Sequence, residues 1–148
     1  MFKHILVATD GSKLAAKAVK SGVKLAKALG ARVTGVYVIP PYVPPMYGEA
    51  AIYVPEVTPK RYKELSEKEA KKALALVEIE AQTARVACTV SYPVADQAWQ
   101  GVIRTAQSKK CDLIIMASHG RGGLAGLILG SETTKVLAHS KIPVLVCR

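Results

Sequence analysis

His4-Ile5-Leu6-Val7-Ala8-Thr9-Asp10-Gly11-Ser12 is the stretch that decides the fold. His4–Ala8 is short and almost continuously apolar, the pattern of a strand buried on both faces, as in a parallel sheet. Asp10-Gly11-Ser12 then offers turn and helix N-cap chemistry. The helix that follows carries Lys13, Lys17, Lys20, Lys24 and Lys27 at a spacing of 4, 3, 4, 3. At about 100° per residue these lysines fall within an arc of roughly 80°. Ala15, Ala18, Val19, Gly22, Val23, Leu25, Ala26 and Leu29 occupy the other side, and Gly30 provides a helix stop. Strand, turn and amphipathic helix in this order read as the first unit of an α/β fold.

The same alternation continues to the end. Arg32–Ile39, Val86–Tyr92, Asp112–Ala117 and Ile142–Cys147 read as strands, with predicted helices over Lys60–Arg85, Asp96–Lys109 and Ser131–His139. Such an order implies an open parallel sheet with helices on both faces, a Rossmann-like arrangement. The 148 residues fit one domain, 1–148, on a prior of roughly 100–200 residues each. The long irregular stretch is Pro40–Pro59. It holds six of the eight prolines and three of the six tyrosines, Tyr42, Tyr47 and Tyr53. A loop of that length reads equally as a lid or dimer contact and as a mobile connector.

Composition narrows the class. Half of the residues are apolar and 22% are charged, an ordinary globular balance. No apolar run reaches the roughly 18 residues of a membrane span, and the first ten residues lack the pattern of a signal peptide. Cys88, Cys111 and Cys147 are widely spaced, which excludes a disulfide framework and a cysteine-based zinc site and suits a reducing cytoplasm. The unusual value is a net charge of +10, from 21 Lys and Arg against 11 Asp and Glu. Residues 1–30 and 100–148 each carry +5, and the middle is nearly balanced. The excess suggests an anionic partner, although the lysine stripe reads first as a solvated helix face. One Phe, one Trp and no basic–aromatic interleaving argue against a single-strand nucleic-acid platform.

The strongest local signal is the glycine-rich run from Ala117 to Ser131, with five glycines in the eleven positions from Gly120 to Gly130. It leaves a predicted buried strand and ends at a predicted helix start. Glycines let backbone N–H groups converge, and a helix N-terminus adds unpaired donors, so a phosphate chain suits this loop. The run contains no GxxxxGK[ST]. Gly120–Ala125 matches GxGxx[G/A] but follows the fourth strand, and Ser140 stands where a ribose-binding acid would be, so a dinucleotide fingerprint is set aside. If the chain winds outward from strand 1 and then crosses back, strands 1 and 4 flank the switch point where such sheets bind ligands. Asp10 and the glycine-rich loop then meet at one crevice. There Asp10 reads either as an acceptor for ribose or adenine groups or as a residue that caps the first helix or orders a turn.

These residues resemble the universal stress protein family along the whole chain: Thr9-Asp10-Gly11-Ser12, the proline-rich insertion, Asp112–Met116 and Ile142–Val146. ATP-binding members carry G-x-x-G, nine residues, then G-[ST]. Here the frame reads Ala117-x-x-Gly120, nine residues, Gly130-Ser131, with Ala117 in place of the first glycine and Glu132 where an apolar residue is common. The resemblance implies a five-stranded parallel sheet in the order 3-2-1-4-5. It implies ATP as ligand, with Mg²⁺ as a candidate companion and no metal site made by protein alone. Ala8, Thr9 and Asp10 would line the adenosine pocket, Val38 would offer backbone groups to adenine, and Met116 and Ala117 would pack near the sugar. Gly120, Gly130, Ser131 and Thr133 would hold phosphates, with Arg121 and Glu132 beside them. It also implies a homodimer formed through residues 142–147.

No general base or arginine finger stands out, so the sequence points to a nucleotide-binding regulatory protein of the stress response rather than an enzyme. The other readings are a dimeric interaction module that binds no ATP and a slow ATPase. His119 is a lone histidine in the loop, and neither His4 nor His139 has a matching ligand set.

Overall fold

The computed structural model describes residues 1–44, 57–123 and 128–148. The five strands are β1 (His4–Ala8), β2 (Arg32–Val36), β3 (Cys88–Ser91), β4 (Leu113–Ala117) and β5 (Val144–Cys147). The helices are α1 (Lys13–Leu29), α2 (Pro59–Ala84), α3 (Ala98–Ser108) and α4 (Ser131–His139). All strand pairs are parallel and the order is β3-β2-β1-β4-β5, as the family resemblance implied. Of the Pro40–Pro59 stretch, Tyr47 and Tyr53 lie outside the described residues, as does Gly126 of the glycine-rich run.

The alternation of side chains along each strand builds two cores. Ile5 and Val7 of β1 and Leu113 and Ile115 of β4 pack with Val19 of α1 and with Leu74 and Val77 of α2. On the other face Leu6, Ile114 and Met116 pack with Val102, Ile103 and Ala106 of α3 and Val136 of α4. The period-2 pattern therefore sorts one helix pair onto each face. Gly22 lets α1 press against β1, since a Cβ there would sit 2.8 Å from Val7 Cγ2. The α1 lysines are all exposed.

Several boundaries differ from the sequence expectation, each for a local reason. β2 ends at Val36, not Ile39, because β1 ends beside it: the Thr9 amide donates to Val36 O. Beyond that point only the β3 side remains paired, through Tyr37 N–H to Ser91 O and Ile39 N–H to Pro93 O. Val86 is taken from the third strand by the close of α2, where Arg85 turns left-handed at φ 58° and the Val86 amide donates to Ala81 O. β5 begins at Val144, not Ile142, whose amide is held in a turn by Ser140 Oγ. α3 starts at Ala98 rather than Asp96, with Gln97 in the cap position but making no side-chain cap bond. α4 spans Ser131–His139, as read from the sequence.

The amino ends of the strands carry a small polar network. Asp112 accepts from the Lys3 and His4 amides at 2.8 and 3.0 Å. His4 is buried, with Nε2 2.8 Å from Thr34 Oγ1, which lies 3.0 Å from Thr89 Oγ1. Its Nδ1 is buried with no partner among the described residues. Burial, with the Arg32 charge second, pushes the His4 imidazole below its ordinary value. Against the cost of burial, the Lys3 and His4 amides hold the Asp112 carboxyl below its ordinary value. Burial pushes the nearby Cys111 thiol up to about 11, so it stays protonated at neutral pH.

His4 thus binds its proton less readily folded than unfolded. Its contribution to stability is complete above the unfolded value of about 6.5 and is lost as pH falls toward the lower folded value. Asp112 acts in the same direction at more acid pH. Thermal unfolding followed from neutral to mildly acid pH should show stability falling in the first window. The fall should be shallower in His4→Gln, and equal slopes would remove His4 from the account.

Candidate functional site

The site lies where strand order reverses, at the carboxyl ends of β1 and β4. A cavity of about 600 Å³ opens there, within the usual range for small-molecule sites. All twelve residues singled out from the sequence line it: Ala8, Thr9, Asp10, Val38, Met116, Ala117, Gly120, Arg121, Gly130, Ser131, Glu132 and Thr133. Val36, Tyr37 and Pro40 from the end of β2, Ala98 and Val102 from α3, and His119 also line it. The α3 wall was missed because it comes from an apolar helix face that periodicity assigns wholly to the core. One signal was available: Gly101 lets α3 close on the β2 exit, since its Cβ would lie 2.6 Å from Val38 Cγ2.

Asp10 holds the crevice together. Its Oδ1 accepts from the Ser12 amide at 2.9 Å, which orders the turn into α1. Its Oδ2 accepts from the Arg121 amide at 2.8 Å, which fixes the start of the glycine-rich loop. Gly120 is needed beside it, because a Cβ there would collide with the Asp10 carboxylate. Gly11 sits at φ 80°, a conformation that favours glycine, and leaves room for the Arg121 guanidinium, whose Nη2 would be 2.7 Å from an added Cβ.

The far side of the crevice is the start of α4. Gly130 donates its amide to Ser118 O at 2.7 Å and occupies the N-cap position without a side-chain cap. The helical ladder begins with Thr134 N–H to Gly130 O, so the amides of Ser131, Glu132 and Thr133 have no partner within the helix. They form a donor cluster at the positive end of the helix dipole. Thr133 is buried and its hydroxyl donates to Ala117 O at 2.9 Å, tying α4 to β4. That bond commits the Thr133 hydroxyl proton and leaves its backbone amide among the α4 donors.

Val38 lines the cavity beside the end of β2. Its neighbours Tyr37 and Ile39 direct their backbone groups to the β3 side. Alternation turns those of Val38 the other way, past the end of β1. Tyr37 beside it is pushed above its ordinary value by burial, which the Arg121 charge opposes.

Glu132 and Arg121 have duties that the sequence did not show. Glu132 Oε2 accepts from the Trp99 amide at 2.7 Å and so caps α3 from a different helix. Its Oε1 lies 3.9 Å from Lys135 Nζ, and that ammonium donates to Gln97 Oε1 at 2.8 Å. The Arg121 guanidinium lies 3.8 Å from Glu69 of α2. His119 Nδ1 is 3.2 Å from Ser118 Oγ. Among the described residues, no group of three or more His, Cys, Asp or Glu is placed to hold a metal ion. No helix among them is long and apolar enough to cross a membrane.

The fold and its sheet order are shared with proteins already known. The family model described as the universal stress protein family matches residues 1–148, and the chain belongs to that family. A universal stress protein from Thermus aquaticus is 34% identical over 148 residues, covering all of both chains. The solved structure of UspA from Lactobacillus plantarum superposes with a TM-score of 0.78 at 24% identity, covering 99% of this chain and 98% of that one. A universal stress protein in complex with cAMP has a TM-score of 0.70 at 23% identity, covering 99% and 97%. One from Archaeoglobus fulgidus in complex with dAMP has a TM-score of 0.65 at 14% identity, covering 100% and 98%. At these identities the structures establish the fold.

The cap from Glu132 yields a direct test. Removing a helix cap costs about 1 kcal/mol, or about 2–4 °C in Tm for a chain of this size. Glu132→Ala should show that loss in calorimetry. Glu132→Gln, which keeps an acceptor for the Trp99 amide, should recover most of it.

Proposed function

We propose that the chain, as one universal stress protein domain of residues 1–148, is a regulatory adenine-nucleotide-binding protein with ATP as its ligand. The observation that carries the reading is the placement, in one cavity, of the Gly120–Gly123 turn with three α4 amides and a Val38 backbone edge that have no partner among the described residues. A phosphate chain suits the first two, and the edge of a purine suits the third. The relatives described with cAMP and dAMP support an adenine nucleotide as the class of ligand. Ala8, Thr9, Met116 and Ala117 would flank the sugar and base, and Gly120, Gly130 and Ser131 the phosphates. Mg²⁺ would arrive with the triphosphate. The role in this reading is binding, with at most slow hydrolysis, and three free thiols suit a cytoplasmic location.

Release and identification of nucleotide from freshly purified protein, with calorimetric titration of ATP, tests the reading. Gly130 packs 3.1 Å from His119 Cα if given a Cβ. Gly130→Val should therefore distort the donor cluster and weaken ATP at least about tenfold, or about 1.4 kcal/mol. A protein that carries no nucleotide and binds none added would sink the reading.

The homodimer belongs to the same proposal. β5 is an edge strand, and Leu145 on it is 39% exposed. Pro143 O and Cys147 O face β4, accepting from Ile114 and Ser118. Alternation then turns the backbone groups of Val144 and Val146 outward, where a second β5 can pair. Val146→Pro keeps the bonds to β4 but removes an outward donor. Analytical ultracentrifugation should find wild type dimeric and this variant folded but monomeric. A wild type that sediments as a monomer refutes the dimer.

A further inference from the structure

Despite a net charge of +10, the large cavity is poor in cations. Among its described lining residues the acidic side chains are Asp10 and Glu132, and the one Lys or Arg is Arg121. The α4 amides are neutral donors, enough for one phosphate group at a helix N-terminus. Glu132 is turned to the Trp99 amide, but each further phosphate still brings more negative charge beside the Asp10 carboxylate. Arg121 is the group placed to answer it, yet its guanidinium is engaged elsewhere, 3.8 Å from Glu69 on α2. It lines both the large cavity and a smaller one, of about 200 Å³, that also contains Glu69 and Lys72.

Three facts make this guanidinium free to exchange. Its backbone is fixed, because the Arg121 amide is held by Asp10, so only the side chain must move. Its pair with Glu69 is weak, because both side chains are more than half exposed, 58% and 55%, and such pairs contribute little. Its seat over Gly11 has no Cβ to confine it.

We infer that Arg121 is a two-position specificity residue that reads the number of phosphates on the bound nucleotide, with Glu69 as its competitor. With an empty site or a monophosphate, Arg121 rests on Glu69 and ties the glycine-rich loop to α2. With a nucleoside di- or triphosphate, it turns from Glu69 to the outer phosphates, where a charge-assisted bidentate contact is stronger than the exposed pair it leaves. Glu69 therefore sets the cost of admitting the longer phosphate chain. The inference rests on the nucleotide-binding reading above and assigns its preference among adenine nucleotides to one arginine and one distant carboxylate.

Titration of AMP, ADP and ATP into wild type, Glu69→Gln and Arg121→Gln tests it. Glu69→Gln lies on an exposed helix face and should fold. It should tighten ATP and ADP about two- to fivefold and leave AMP unchanged, the scale of an exposed pair. Arg121→Gln should weaken ATP by about tenfold, leave AMP within about twofold, and abolish the effect of Glu69→Gln in the double variant. If nucleotides bind but Glu69→Gln changes AMP and ATP alike, or changes neither, this inference is overturned and the nucleotide-binding reading stands. If wild type binds none of the three, both fall together.

Discussion

The Asp10 carboxylate is the constraint on which the site depends. One oxygen is committed to the turn that launches α1, and the other to the amide that begins the glycine-rich loop. Strands β1 and β4 are neighbours in the sheet, yet Ile5 pairs with Leu113 from a distant part of the chain, and nothing in their ladder dictates where their exits point. The carboxylate does so, because it is an acceptor with two oxygens and both donors are backbone groups that cannot rotate away. Gly120 follows from this grip, since any side chain there would occupy the space of the carboxylate. The choice between a ligand contact and a structural cap for Asp10 is thus partly resolved by geometry. It orders the turn and the loop, and it still borders the cavity.

Donors rather than formal charges shape the rest of the crevice. The lysine stripe lies on the outer face of α1, and none of its members lines the cavity. Backbone N–H groups at the α4 start are pre-positioned by Gly130 and by the Thr133 hydroxyl bond to Ala117. Fixed dipoles of this kind need no reorganisation when an anion arrives, and they do not repel one another as clustered ammonium groups would. The global charge therefore says little about this site, whereas the spacing of glycines says much.

The fold was legible because two periodicities agree. Alternation along β1 and β4 assigns residues to two cores, and helical spacing in α1, α3 and α4 supplies the matching faces. Strand ends were less legible, because they depend on when a neighbour stops: β2 ends where β1 does, a tertiary fact absent from Val36–Ile39 themselves. The β1 and β4 side of the site was legible because its chemistry sits in contiguous motifs. The α3 wall was not, since Ala98 and Val102 are ordinary core residues until α3 is docked.

Glu132 shows why a motif position is not by itself a role. In sequence it lies beside Ser131 and invites a reading as a ligand neighbour, hostile to phosphate through its charge. In the fold, α3 begins at Ala98 with Gln97 making no side-chain cap bond, and the acceptor comes from the facing helix. Glu132 turns to the Trp99 amide, where the positive end of the α3 dipole balances its charge. Lys135 and Gln97 complete the contact, and Trp99 stacks on His139 at 4.5 Å to hold the two helices in register. The departure from an apolar residue at this position thereby fixes α3 against α4 and keeps the charge away from the amides it would otherwise oppose. A cap supplied across helices is invisible to any reading that examines one helix at a time.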